Sequence, residues 1–279
     1  MTRTPTPGLD GIAGRFLALH HGDRPLLQPN AWDAGSARVL ESLGFEAVAT
    51  TSSGFAATLG RLDGDVTRDE VLAHTRAMAH AVDVPVAADT ENGFADDPAG
   101  VADTVRLLSD TGLAGCSVED WSGESIYDAG LARERIAAAA EAAHRGPRQL
   151  VLTARAENLL HGGDDLADTI ARLQAYQEAG ADVLFAPGLG DAETIRAVVS
   201  SVDRPVNVLV RPGCPPVDEL AEIGVARVSV GGTFTYAALA GMIDAATELR
   251  DRGTYGYWAR VTEVRPAIQR ALSPRAAER

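Results

Sequence analysis

The sequence predicts a (β/α)8 TIM barrel with additional C-terminal helices. The chain has 279 residues, close to the roughly 250 residues of such barrels. Apolar runs alternate with amphipathic stretches in about eight βα units. The alternative is an open doubly wound sheet, but no GxGxxG follows the first run, and polar residues follow most runs rather than one switch point. We therefore predict a single barrel domain over residues 1–279, with 251–279 as a C-terminal helical extension.

The predicted strands are short runs of apolar or β-branched residues, several of which follow a helix end and a glycine turn. Ala179-Gly180-Ala181-Asp182-Val183 is one example of this device. The predicted strands are Leu26–Asn30, Ala47–Ser52, Pro85–Thr90, Gly115–Asp120, Leu150–Glu157, Val183–Pro187, Val206–Val210 and Arg227–Gly231. The clearest predicted helices are Arg68–Val82, Asp97–Thr111, Asp165–Ala179 and Asp191–Val202.

Composition narrows the possible partners and the location. The net charge of −14 repels phosphate backbones, which argues against nucleic-acid binding. No apolar stretch approaches the roughly 18 residues of a membrane helix, so we expect no membrane partner and a cytoplasmic location. Cys116 and Cys214 form no CxxC pair, which fits a reducing compartment.

The chain contains no lysine, since all 25 basic residues are arginines. Schiff-base aldolases and enzymes that tether pyridoxal phosphate need a lysine amine, so both classes are excluded. A Walker phosphate loop is excluded for the same reason.

Three carboxylates are the candidate metal ligands. Active-site groups of a barrel lie at the carboxyl ends of its strands, where Asp89, Glu91 and Glu119 are predicted to lie. Asp89 and Glu91 are two positions apart on one predicted strand, so we expect their side chains on the same face. Converging carboxylates repel one another unless a cation lies among them, and hard oxygen ligands favour Mg²⁺ or Mn²⁺. An ion-pair network with Arg155, or a set of solvated caps, is the alternative.

Other polar residues near these strand ends are candidates for binding an anion and moving a proton. Thr51, Ser52 and Ser53 offer hydroxyls and backbone NH groups that suit a carboxylate or a phosphonate. Arg155 is able to hold an anionic oxygen with two hydrogen bonds. His161 is the best placed of six histidines for proton transfer, although a loop histidine is often merely solvated.

Several of these segments, taken in order, resemble the isocitrate lyase/phosphoenolpyruvate mutase superfamily. Asp89-Thr90-Glu91-Asn92-Gly93-Phe94 matches its D-x-[DE]-x-G-[YF] signature. The resemblance extends over most of the chain. The other matching segments are Pro29-Asn30-Ala31-Trp32-Asp33, Leu59-Gly60-Arg61-Leu62-Asp63, Val118-Glu119-Asp120, Ala154-Arg155-Ala156-Glu157 and Val228-Ser229-Val230-Gly231-Gly232.

The resemblance implies a barrel enzyme with Mg²⁺ held by Asp89, Glu91 and Glu119, largely through waters. It implies that the ion stabilises an enolate while a C–C or C–P bond next to it breaks or forms. It also places another active-site aspartate at Asp63, and it implies a homo-oligomer, a dimer or tetramer, that exchanges a C-terminal helix.

The segment after the fourth strand departs from the family. We define the lid as residues 121–130, which read Trp121-Ser122-Gly123-Glu124-Ser125-Ile126-Tyr127-Asp128-Ala129-Gly130. Family lyases carry K-[KR]-C-G-H there and the mutases carry a lysine and an asparagine, so neither pattern applies. Glu124, Tyr127 or His161 are the remaining candidates for the proton donor.

From these observations we predict a Mg²⁺-dependent lyase that breaks a C–C bond in a small 2-oxo- or hydroxy-carboxylate. The predicted substrate-binding residues are Thr51, Ser52, Ser53, Asp89 and Arg155. The predicted catalytic residues are Arg155, Asp63, Glu124 and His161. C–P chemistry on a phosphonate, and a barrel that binds a ligand without catalysis, are the alternatives.

Overall fold

Eight parallel strands form a nearly closed barrel in the computed structural model, which describes residues 9–274. Neighbouring strands follow the order β1-β8-β7-β6-β5-β4-β3-β2. Backbone bonds of 2.7 Å from Ala31 N to Ala49 O and of 3.0 Å from Ala49 N to Pro29 O join the two remaining edges. The strands are β1 Leu26–Gln28, β2 Val48–Ala49, β3 Val86–Asp89, β4 Gly115–Glu119, β5 Val151–Arg155, β6 Val183–Phe185, β7 Val206–Leu209 and β8 Arg227–Ser229. The predicted TIM barrel is confirmed.

Helices alternate with these strands, as predicted, and local signals define where several begin. Thr67 and Glu70 form a reciprocal capping box before α4. Asp97 and Asp191 accept backbone NH bonds at the starts of α5 and α8. The helices are α1 Gly11–Leu19, α2 Ala34–Ser42, α3 Ser52–Thr58, α4 Arg68–Ala81, α5 Pro98–Ser109, α6 Ala129–Arg145, α7 Leu166–Glu178, α8 Ala192–Ser201, α9 Val217–Ile223, α10 Thr233–Arg252 and α11 Trp258–Leu272.

Helix α1 packs its apolar face against residues at the amino ends of the strands. Phe16 is fully buried among Leu26, Val151 and Val183. A Cβ at Gly115 would lie 3.0 Å from the Phe16 ring and 2.7 Å from a backbone oxygen. Only glycine therefore fits where α1 meets β4. An apolar layer therefore closes the amino end of the barrel. The active site of such a barrel lies at the opposite, carboxyl end.

The observed strands are shorter than predicted, and at β3 the difference affects the site. The strand ends at Asp89, so Glu91 lies in the following turn, with a φ of 49°. Strand alternation therefore does not place the Glu91 side chain on the same face as that of Asp89. The prediction that both residues belong to one strand is wrong. A left-handed turn instead brings Glu91 to the neighbouring strand, where its carbonyl accepts a 3.0 Å bond from Glu119 N. Non-glycine residues rarely adopt this conformation outside functional sites.

Helix α10 follows β8 and extends across the predicted boundary at 251. It starts at Thr233, ends before Gly253 at φ 65°, and buries only Thr235 among its residues. The division into a barrel and an extension over 251–279 stays a prediction. Helix α11 follows and packs against α2. Residues 1–8 of the predicted domain and 275–279 of the predicted extension lie outside the described residues. Within residues 9–274, none of the helices has the length and apolar character needed to cross a bilayer.

Candidate active site

Arg155, the last residue of β5, is surrounded by carboxylates at the carboxyl end of the barrel. Its Nη1 lies 2.8 Å from Asp89 Oδ1, its Nη2 lies 3.1 Å from Glu119 Oε2, and its Nε lies 2.9 Å from Glu157 Oε1. Strand register explains the meeting, since Glu119 pairs with Arg155 across β4 and β5. One guanidinium therefore joins acids that come from three different strand ends.

Above this network lies a cavity of about 510 Å³, which we call the active-site cavity. Six of the predicted site residues line it: Ser52, Asp63, Glu91, Glu119, Arg155 and His161. Asp89 instead lines a smaller cavity inside the barrel, which Arg155 also lines. Thr51, Ser53 and Glu124 are absent from the described lining of both cavities.

The acids of the active-site cavity carry more negative charge than Arg155 balances. Burial raises the pKa of Glu91 to about 7, with repulsion from Asp89 and Asp63 adding to the effect. Burial also raises the pKa of Glu119 against the opposing attraction of Arg155, and repulsion from Glu157 and Asp89 adds to the rise. The pKa of Asp63 is likewise raised by burial. Such clusters of shifted groups are typical of functional sites.

The donor set fits a small divalent cation held largely through waters. Glu91 Oε1 is buried and has no hydrogen-bond partner, so one carboxylate oxygen is free for a cation. Within residues 9–274, no group of three His, Cys, Asp or Glu side chains is arranged to hold a metal ion directly. Mg²⁺ suits this geometry, because it keeps several waters and takes only one or two carboxylates. The described acids therefore fit the water-mediated mode that the resemblance implies.

The serine-rich turn after β2 supports the acids. Thr51 caps α3, where its hydroxyl accepts a 3.4 Å bond from Gly54 N. Ser52 donates its backbone NH to Asp89 Oδ2 at 3.2 Å, and its hydroxyl bonds to Asp63. The Thr51 hydroxyl is also 3.1 Å from that of Ser53. Of the three predicted binding residues in this turn, the structure thus brings only Ser52 to the active-site cavity.

The lid forms a small hairpin beside the cavity. Trp121 bridges Ile126 across the hairpin, and its ring stacks on the His161 ring with centroids 3.7 Å apart. His161 Nε2 also lies 3.7 Å from Glu157 Oε2. Glu124 is exposed at the tip. The Tyr127 hydroxyl is buried in a bond to Asp96 and accepts a 3.0 Å bond from Asn92.

Two buried groups from the surrounding helices hold the site in place, and the sequence analysis did not single them out. Arg135 of α6 donates to the carbonyls of Glu119, Asn92 and Ala95. Tyr176 of α7 donates a 2.6 Å bond to Asp120 Oδ2, while Asp120 Oδ1 accepts from Glu157 N. A signal was present for Arg135, because it shares its helix phase with the apolar residues Ala132, Ile136 and Ala139.

The eight parallel strands and the acidic cavity at their carboxyl ends together define the class: a TIM barrel with a candidate active site at the carboxyl end. Residues 16–250 match the phosphoenolpyruvate phosphomutase family, and the chain belongs to this family, within the isocitrate lyase/phosphoenolpyruvate mutase superfamily. Both predictions of family and fold are confirmed. The superfamily is enzymatic and includes lyases and mutases.

Two relatives show the range of the family. An uncharacterized protein of Mycobacterium tuberculosis (strain ATCC 25618 / H37Rv) is 37% identical over 238 residues, which cover 85% of this chain and 89% of that protein. The 2-methylisocitrate lyase of Escherichia coli (strain K12) is 29% identical over 255 residues, which cover 86% of this chain and 84% of the lyase.

Two solved structures are similar along most of their length. One, from Burkholderia cenocepacia J2315, is assigned no more closely than as a lyase or mutase. It has a TM-score of 0.90 and 47% identity, and the match covers 94% of this chain and 96% of that chain. A 2,3-dimethylmalate lyase has a TM-score of 0.79 and 30% identity, over 89% of this chain and 90% of the lyase.

Proposed function

We propose that this protein is a Mg²⁺-dependent lyase that breaks a C–C bond in a small 2-oxo- or hydroxy-carboxylate. The observation that carries the proposal is the ring of acids around Arg155, with the free buried oxygen of Glu91 facing a cavity. Mn²⁺ is an alternative ion with the same ligand preferences. The activities of two relatives, 2-methylisocitrate lyase and 2,3-dimethylmalate lyase, support C–C cleavage.

In this proposal Asp89, Glu91 and Glu119 would hold the ion, largely through waters, and the ion would stabilise negative charge on the oxo-acid. Arg155 fixes Asp89 and Glu119 so that they do not move apart as that charge develops. Ser52 and Asp63 line the same cavity and bind the substrate's polar end. The Trp121–His161 stack borders the cavity and shields it from water.

The proton donor in this proposal is His161. Its ring borders the cavity and contacts Glu157, whereas Glu124 is exposed at the lid tip. We expect His161→Gln to lower turnover about 100-fold or more, the usual contribution of a general acid. Glu124→Gln is the matched control within the same lid and should change turnover little. A larger loss in Glu124→Gln than in His161→Gln would contradict this assignment.

The test of the reaction is a panel of 2-oxo- and hydroxy-acids incubated with the protein and Mg²⁺. We expect release of an oxo-acid such as pyruvate or glyoxylate, abolished by EDTA and by Asp89→Ala. Glu141→Ala on the exposed face of α6 is the control for an acid outside the site. Phosphate release from phosphonopyruvate would instead support C–P chemistry. Ligand binding by calorimetry without turnover of any acid would support a non-catalytic barrel.

A second copy of this chain is the proposed partner of α10 and α11. Met242 and Ile243 of α10 are each 59% exposed, and Trp258 of α11 is 48% exposed, so both helices present apolar side chains. We expect light scattering to give a multiple of 29.2 kDa. The double substitution Met242→Glu with Ile243→Glu should lower that mass. Leu43→Glu, at an exposed position outside these helices, should not.

A further inference from the structure

The interior of the barrel holds a second cavity, of about 90 Å³, which we call the interior cavity. It extends from Arg227, the first residue of β8, to Arg155 and Asp89 at the carboxyl ends of their strands. TIM-barrel interiors are usually filled by branched apolar side chains. Here the lining includes Ser117, Thr153, Asn207 and Ser229. The volume exceeds the roughly 10–15 Å³ that one water needs.

Arg227 is buried in this interior without a counter-charge. Its guanidinium bonds to Asn207 Oδ1 at 2.9 Å, to His20 Nε2 at 3.1 Å and to Thr153 Oγ1 at 3.2 Å. All three partners are neutral groups, and no ion pair to Arg227 occurs among residues 9–274. Burial alone lowers its pKa to about 9. A buried charge is costly unless an opposite charge accompanies it.

His20 does not change this balance, because it is held in its neutral form. Its Nδ1 lies 2.9 Å from the Phe16 carbonyl and donates to it, so Nε2 must accept from Arg227. Burial, followed by repulsion from Arg227, lowers the pKa of His20 to about 3. The imidazole thus fixes Arg227 in position but brings no negative charge.

The hydrogen bonds of the lining leave donors in excess. Arg227 has five N–H groups, of which these three bonds use three. Because Asn207 Oδ1 accepts from Arg227, its amide nitrogen donates to Ser229 Oγ at 2.9 Å. The hydroxyl hydrogens of Ser229 and Thr153 then have no protein acceptor within the described chain.

The charged acceptor on the lining is already engaged, since Asp89 Oδ1 bonds to Arg155 and its Oδ2 to Ser52 N. Asn30 Oδ1 likewise accepts from Val230 N and Gly231 N. A lining with free donors and one unpaired cation has the chemistry of an anion site.

We propose that the interior cavity binds one small monovalent anion, of which bromide is the probe, between Arg227 and the hydroxyls of Thr153 and Ser229. The proposal is independent of the reaction, since it needs neither the metal nor a substrate. Arg155 lines both cavities and is therefore the residue at which they adjoin.

Bromide diffraction tests the proposal directly on the full chain. Crystals soaked in sodium bromide should show one anomalous peak in the interior cavity beside Arg227. In solution, replacing sodium gluconate by sodium bromide at constant ionic strength should raise the thermal unfolding midpoint in a saturable way, because an ion that binds only the folded state stabilises it.

Variants decide between an anion and water. Ser229→Ala removes one donor and should weaken the bromide effect about tenfold, and Arg227→Gln should abolish it. Arg145→Gln, an arginine with a 78% exposed side chain, is the control and should keep the full effect. If Arg227→Gln does not fold, Ser229→Ala and the wild-type diffraction decide the question. The proposal is overturned by crystals without bromide in this cavity, or by a bromide effect that Ser229→Ala leaves unchanged.

Discussion

Arg155 and Arg227 line the same interior cavity, yet their surroundings are opposite. Arg155 contacts three carboxylates, those of Asp89, Glu119 and Glu157. Arg227 contacts only neutral groups within the described residues. The carboxyl end of the barrel therefore has an excess of negative charge, and the interior has an unpaired positive charge. The first arrangement suits a bound cation and the second a bound anion.

The same contrast appears in the acid–base behaviour of the two arginines. Burial opposes the charge of both, but the neighbouring Glu119, Glu157 and Asp89 raise the pKa of Arg155 well above its usual range. No such acids act on Arg227, whose pKa falls. Arg155 is thus the shared counter-charge of several acids, and its removal must leave all of them without it at once.

The largest expected effect follows from replacing Arg155. Arg155→Met leaves three buried acids without their cation, and breaking a buried pair in this way costs about 3–5 kcal/mol of unfolding free energy. Urea denaturation at pH 8 in EDTA measures the loss. Arg145→Met on the surface of α6 should change stability by less than about 0.5 kcal/mol. A loss in Arg155→Met no larger than in that control would show that the acids do not depend on Arg155.

A smaller loss is expected when Arg227 is replaced by the same residue. Arg227→Met leaves only neutral acceptors unpaired, those of Asn207, His20 and Thr153, at a cost of about 1–3 kcal/mol. The removal of an unpaired buried charge offsets part of that cost. Parallel denaturation of the two Met variants measures the difference. Equal losses for Arg155→Met and Arg227→Met would remove the contrast between the two environments.

The sequence predicted the barrel and the acid set because both depend on local signals. Alternating apolar runs and glycine turns indicate βα units, and Asp89 and Glu119 follow directly from strand ends. The geometry of Glu91 depended on a turn with φ of 49°, which strand periodicity does not contain. Its place beside Glu119 therefore came from the structure.

The interior cavity was beyond sequence reasoning for a different reason. Arg227 occupies an inward position of a predicted strand, but its partners His20, Thr153 and Asn207 are up to 207 residues away in the chain. Only strand register brings Arg227 beside Asn207.

Replacing Glu91 tests the excess of negative charge at the carboxyl end of the barrel. Unlike the two arginine variants, this variant should gain stability, and the effect should be smaller. Its folded pKa of about 7 lies above the usual 4.5, so the ionised form destabilises the metal-free protein. The penalty grows as pH rises from 4.5 to 7 and is complete above that. Glu91→Gln should therefore raise stability in EDTA by about 1–2 kcal/mol at pH 8, after allowance for solvent screening, with little gain at pH 4.

The same variant should bind Mg²⁺ more weakly, because it lacks one of the proposed ligand oxygens. Calorimetric titration of wild type and Glu91→Gln measures this, and we expect at least about a tenfold loss of affinity. Glu124→Gln, exposed on the lid, should alter neither stability nor affinity. If Glu91→Gln raised the free energy of unfolding equally at pH 4 and pH 8, charge repulsion would not be the cause of the increase.

The smallest expected effect concerns His20, which tests the positive interior. Its folded pKa of about 3 lies below the unfolded 6.5, so the unfolded chain takes up a proton that the folded protein excludes. The stability that neutral His20 provides is complete above pH 6.5 and is lost as pH falls towards 3. Relative to His20→Gln, which does not titrate, wild type should lose about 1 kcal/mol between pH 6.5 and 5.5. Urea denaturation of the pair across this range cancels the other titrating groups, and sodium gluconate in place of halide keeps the proposed anion out of the cavity. A difference independent of pH would then mean that a negative group of the protein itself compensates Arg227.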